Sequence, residues 1–118
     1  MSYTSKDLNP LVRGDDWTIK LVITSNGTPV NITGYSFWFT LKADIDAADP
    51  GNLQVTASAG SPDAANGILY INVNSNLTAN LIPQTYNYDV QQIDTGNKVQ
   101  TLLIGKVKVV KDITRSTS

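Results

Sequence analysis

Between residues 85 and 114 apolar and polar positions alternate with a period of two, the pattern of strands that bury one face and wet the other. Tyr86, Tyr88 and Val90 alternate with Asn87, Asp89 and Gln91, and after the polar loop Asp94-Thr95-Gly96-Asn97 a return strand runs from Val99 to about Val110. This predicts a long β-hairpin that forms the spine of a sheet, with Gly96 expected to supply the positive φ of its turn. In the return strand Val107 and Val109 alternate with Lys106 and Lys108, whereas Leu102, Leu103 and Ile104 are consecutive. A β-bulge or kink at Gly105 is expected to reconcile the two halves.

The same period recurs upstream. Trp17, Ile19, Leu21 and Ile23 define a strand over residues 17–24, and Asn26-Gly27 turns the chain into a brief extended piece at 29–32 that Pro29 keeps at an edge. Tyr35, Phe37, Phe39 and Leu41 form the most apolar stripe, opposite Ser36, Trp38, Thr40 and Lys42. A modest strand at 53–57 sits between two turn-rich loops, and 68–73 forms the next strand with Leu69, Ile71 and Val73 on one side. Residues 74–81 hold the one plausible helical turn: Ser75 or Asn76 would cap it, Leu77 and Leu81 fall four apart, and Pro83 stops it. Before the first long strand, residues 1–9 read as a polar arm that frays or lies along a neighbour, and Leu11-Val12 as a short edge strand ahead of the turn Arg13-Gly14-Asp15-Asp16.

The organisation expected is an arm and edge strand over residues 1–12, one all-β domain over 13–114 and a polar tail over 115–118. The domain reads as an antiparallel immunoglobulin-like β-sandwich of about seven strands with one short helical turn, a small closed barrel being the alternative. Tyr86 or Tyr88 falls where such a sandwich carries a tyrosine corner. Its core is expected to contain Ile19, Leu21, Phe37, Phe39, Ile71, Val73, Tyr88, Val90 and Val107.

Composition then removes function classes. There is no cysteine and no histidine, and all ten acidic residues are aspartate, so the residue types on which nucleophilic, general acid–base and zinc chemistry most rely are missing. The aspartates are scattered among loops and strand exteriors, and no enzyme activity, cofactor or metal is expected. A net charge of −1 gives no electrostatic reason to expect nucleic acid or an anionic membrane as partner. No apolar run reaches signal-peptide or membrane-spanning length, so a soluble chain made in a cytoplasm is expected.

Three short motifs read as structure. Arg13-Gly14-Asp15 spells an integrin-binding tripeptide but suits a tight turn. Asp44, Asp46 and Asp49 crowd one loop without the glycine and closing glutamate of an EF-hand, and are expected to be solvated. Asn26-Gly27-Thr28, Asn31-Ile32-Thr33 and Asn76-Leu77-Thr78 have the form of glycosylation sequons but are turn and cap residues first.

Gly14-Asp15 ahead of the first long strand, Asn31-Ile32-Thr33-Gly34 ahead of the aromatic strand, and Tyr86-Asn87-Tyr88-Asp89-Val90 followed by the return strand with Gly105 form one layout. Over residues 13–114 it resembles the small domain at the N-terminus of bacteriophage baseplate upper proteins and in related phage tail and fibre proteins. The resemblance implies a β-sandwich that docks on other virion proteins. Since the chain stops at Ser118, a stand-alone adaptor or decoration module on tail, baseplate or neck proteins is expected, present in the virion as a homo-oligomer or in multiple copies and made in the host bacterial cytoplasm. A capsid decoration or cement protein is one alternative. A carbohydrate-binding module that contacts a host glycan is the other, because Trp17, Trp38, Tyr3, Tyr35, Tyr70, Tyr86 and Tyr88 offer aromatic surface.

The partner interface is expected around Trp38. Strict alternation points it away from Phe37 and Phe39, on a face with Ser36, Thr40 and Lys42, where a large indole would lie open to water, as aromatics do where partners dock. Tyr3 is grouped with them, because the arm, with Tyr3 and Leu8, would alternatively fold back over Trp38 within one chain.

Overall fold

The period-two stretches become strands in a computed structural model of the chain, which describes residues 4–5, 7–44, 46, 51, 53–60 and 63–111. In chain order they are β1 (Thr4–Ser5), β2 (Leu11–Val12), β3 (Trp17–Val22), β4 (Thr24–Ser25), β5 (Thr28–Pro29), β6 (Ser36–Lys42), β7 (Leu53–Ala57), β8 (Ile68–Val73), β9 (Gln84–Ile93) and β10 (Val99–Val110). A 3-10 turn at Asp63–Asn66 precedes β8, and one α-helical turn, α1 (Ser75–Thr78), follows it. The all-β class is as expected. β9 and β10 pair as the long hairpin at the centre of a sheet ordered β1-β10-β9-β6-β7, with β2 also on β10. β3 and β8 form a second sheet, and β4 and β5 a small ribbon. The inward faces of the two larger sheets share one core, in which Trp17, Leu69, Ile71 and Val73 meet Phe37, Phe39, Leu41, Tyr86, Tyr88, Val90, Val107 and Val109. Seven of the nine expected core residues are buried; Ile19 and Leu21 are only half-buried. They lie on β3, which among the described residues pairs with β8 alone, so one flank of each side chain lacks a neighbouring strand.

The described residues ahead of β3 lie along β10, with Thr4 beside Leu103 and Leu11 beside Val109 in parallel register. Between the two short strands the Leu8 N–H donates to the Lys106 carbonyl (2.9 Å), and the Lys106 N–H donates to Asp7 Oδ1 (3.0 Å). These two parallel pairings depart from a wholly antiparallel sandwich.

Local chemistry decided four details differently from the sequence pattern. The bulge falls between Thr101 and Leu103, and Gly105 stays in register opposite Tyr88. The extra residue there lets both Leu102 and Leu103 pack against the core, which accounts for the consecutive apolar run. In the hairpin loop the left-handed position belongs to Asn97 (φ 64°), not to Gly96. Asp94 holds that loop, its Oδ1 accepting from the N–H groups of Gly96 (2.8 Å) and Lys98 (3.0 Å), and asparagine tolerates left-handed backbone for the same reason that it favours turns. β3 ends at Val22, because the Ile23 N–H turns to the Gly67 carbonyl (2.8 Å) and the Ile23 carbonyl accepts from Val30 (3.0 Å). Finally, neither Ser75 nor Asn76 caps α1: Asn74 occupies the cap position without a side-chain bond, and Asp16 Oδ1 accepts from the Ser75 N–H at 2.6 Å.

Two expected motifs are built as read. Asn26 and Gly27 both have positive φ (52° and 81°), the type I′ geometry that matches strand twist in a two-residue hairpin. Of the two tyrosines, it is Tyr86 that makes the corner: its buried ring sends the hydroxyl to the Ile82 carbonyl, four residues upstream, at 2.7 Å.

The turn Arg13-Gly14-Asp15-Asp16 is tied to α1 through Thr78, which has no exposed surface. Thr78 Oγ1 accepts from the Gly14 N–H (3.0 Å) and shares its own proton between the carbonyls of Asp15 (2.8 Å) and Ser75 (3.2 Å). Together with the Asp16 cap this makes Gly14, Asp15 and Asp16 structural. Thr78→Val keeps the shape and strands the Gly14 donor, so it should cost about 1–3 kcal/mol in chemical unfolding. A loss under roughly 0.5 kcal/mol would show that the contact carries no weight.

Candidate docking face

Residues that alternate with the core stripe of β6 form the outward face of the larger sheet. Ser36 lies opposite Ile93, Trp38 between Gln91 and Thr56, Thr40 between Asp89 and Gln54, and Lys42 opposite Asn87. Four of the five residues assigned to the interface therefore share one face, while Tyr3 lies outside the described residues. Trp38 points away from Phe37 and Phe39, as the alternation requires, but it is half-buried and not fully open to water. It is in a central strand, flanked by β7 and β9, and those neighbours screen part of the indole. Leu8 does not cover it. That residue packs against the core at the β10 edge, with β10 and β9 between the arm and β6.

Towards Lys42 the face dips into a hollow of about 360 Å³, lined by Thr40, Lys42, Gln54, Asn87, Asp89 and Gln91 with Ile104, and reached by Tyr88. Thr40 is only 7% exposed there, and its Oγ1 accepts from the Gln54 amide at 3.0 Å. The Asn87 amide donates to the Lys42 carbonyl at 3.3 Å. The four residues thus divide into an exposed Ser36 with a half-buried Trp38 near Ile93, and Thr40 with Lys42 inside the hollow. Gln54, Asn87, Asp89 and Gln91 carried no site signal in the sequence beyond being the wet half of an alternation. Their convergence depends on the strand order β7-β6-β9-β10, which no local pattern encodes.

The structure sorts the aromatic residues. Trp17, Tyr86 and Tyr88 are buried and Tyr35 packs against the core; the Trp17 Nε1–H is spent on the Val12 carbonyl at 2.8 Å. Tyr88 stacks at a tilt on Phe39, and burial, with a lesser contribution from the Asp7 charge, pushes its phenol pKa up, so the ring stays neutral. Among the described residues Tyr35, Trp38 and Tyr70 keep surface, Tyr35 and Trp38 half-buried and Tyr70 exposed on the outward side of the β3–β8 sheet. No three acidic, histidine or cysteine side chains cluster as a metal site among the described residues. The Asp46 N–H donates to Asp44 Oδ1 (3.0 Å) in a local turn, and Asp49 lies outside the described residues. Asn31 Oδ1 likewise accepts from the Thr33 N–H (3.0 Å) and hydroxyl (2.6 Å), so that sequon is a turn. No helix among the described residues is long and apolar enough to cross a membrane.

No protein-family model matches the chain, and no curated protein matches it in sequence. Its fold is similar to that of a solved phage domain. The N-terminal domain of phage TP901-1 ORF48 superposes with a TM-score of 0.52 at 17% identity, over 95% of this chain and 99% of that one. The layout that resembled a phage N-terminal domain in sequence therefore has a phage N-terminal domain as its structural counterpart.

Proposed function

We propose that the protein is a non-catalytic structural component of a bacteriophage virion, an adaptor or decoration module that docks on other virion proteins and is present in several copies per particle. The observation that carries this reading is the end-to-end likeness of fold to the phage domain, which leaves almost no part of either chain uncovered. The composition supports it: histidine, cysteine and glutamate are absent from the sequence. A module of this kind works by surface complementarity, and the outward face around Trp38 offers an indole on a rigid central strand with polar surroundings. That is the composition of a docking anchor with its rim.

Trp38→Ala tests the assignment directly. Trp38 lies outside the core cluster, so the variant should fold and melt near the parent temperature while losing about 2 kcal/mol or more in its association with particles, as a hot-spot residue does. Binding to particles assembled without the chain is the measurement. Undiminished incorporation of the folded variant would refute Trp38 as the anchor, and so would unfolding of the isolated protein.

A further inference from the structure

We propose that the hollow on the outward face of the larger sheet binds a neutral saccharide. Three side-chain amides converge there from two strands: Gln54 on β7, and Asn87 and Gln91 on β9. Their hydrogen-bonding capacity is largely unspent. Gln54 gives one N–H to Thr40 and Asn87 gives one to the Lys42 carbonyl, while the carbonyl oxygens of both amides, and both ends of Gln91, have no partner among the described residues.

A carboxamide presents a donor and an acceptor side by side in one plane, and vicinal hydroxyls, each donating and accepting, complete that pair. Three such groups around one space fit a polyhydroxylated ring better than they fit an apolar ligand or an anion. Lys42 and Asp89 contribute opposite charges to the lining, so the hollow favours neither an acidic nor a basic ligand through net charge. Ile104 supplies apolar surface for the C–H face of a sugar. The volume of about 360 Å³ lies within the roughly 300–1,000 Å³ of small-molecule sites. The site overlaps the docking face at Thr40 and Lys42, and takes its recognition from amides that docking through Trp38 does not require.

The test is an array of neutral and acidic oligosaccharides probed with the full chain, followed by calorimetric titration with the strongest neutral binder. The site predicts binding confined to neutral sugars. Gln91→Ala, which breaks no hydrogen bond among the described residues, should raise Kd about tenfold without moving the melting temperature, and Gln54→Ala should weaken binding in the same direction. Incorporation of Gln91→Ala into particles should be unchanged. The proposal is overturned by silence of the whole array at millimolar sugar, by a preference for acidic glycans, or by sugar binding that Gln91→Ala leaves intact. It is equally overturned if Gln91→Ala loses incorporation while no sugar binds, which would give the hollow to a protein partner.

Discussion

Phe39→Ala will lower the unfolding free energy by about 3–5 kcal/mol, the range for deleting a buried phenylalanine ring, and will bring the protein close to its melting point at ordinary temperature. Phe39 is 1% exposed and sits mid-strand between Val55 of β7 and Val90 of β9, with its ring centroid 5.9 Å from that of Tyr88. Removing it deletes transfer energy and an aromatic contact, and leaves a void that a central strand, hydrogen-bonded on both sides, cannot move to fill. The damage reaches the second sheet as well. Two strands alone are marginal in water, so β3 and β8 depend on the apolar surface that β6 and β9 present to them. Ile19→Ala on half-buried β3 should cost clearly less. Urea unfolding of both variants checks the ordering, and a near-parental midpoint for Phe39→Ala would mean that the inward and outward faces of β6 have been exchanged.

Gly67→Ala should be almost as damaging, at about 3 kcal/mol or more, although it adds a single methyl group. Gly67 has φ +73°, a left-handed conformation that costs an L-residue roughly 1–2 kcal/mol. A Cβ there would also lie 2.4 Å from the Ile23 carbonyl oxygen and 2.9 Å from that of Val30. Both obstacles are backbone, held by the bonds from Ile23 to Gly67 and from Val30 to Ile23, so relief requires breaking the crossing that ends β3; overpacking of this kind adds about 1–3 kcal/mol. Gly27→Ala separates the two terms. Its φ is +81°, but nothing lies within 4 Å of an added Cβ, so it should show the conformational cost alone, about 1 kcal/mol. Equal losses in the two variants would show that the close approach at Gly67 is unimportant.

Much of the fold was legible because period-two alternation is a local consequence of burying one face of a strand. The stripe Phe37, Phe39, Leu41 and the hairpin from Tyr86 to Val109 needed no tertiary knowledge. What stayed hidden was decided by groups distant in sequence. Asp16 caps a helical turn that begins at Ser75, Thr78 holds the turn at Gly14, and the arm finds its place only once β10 exists to receive it. The two misplaced details of the hairpin share a cause. In neither place does the glycine mark the irregular backbone: Asp94 shapes the loop so that Asn97 takes the left-handed position, and the bulge lies at Leu102, where the core gains a side chain. The site was half legible. Alternation put Trp38, Thr40 and Lys42 on one outward face, but the hollow beside them requires knowing that β7 and β9 flank β6.

The central claim, that the chain is a structural part of a virion, is tested most directly by a quantitative mass-spectrometric inventory of purified particles from the phage that encodes it. The account predicts the chain in every preparation at a fixed copy number, in constant ratio to the other structural proteins and retained through density-gradient purification. Its absence from purified particles, while it accumulates in the lysate, would contradict the account.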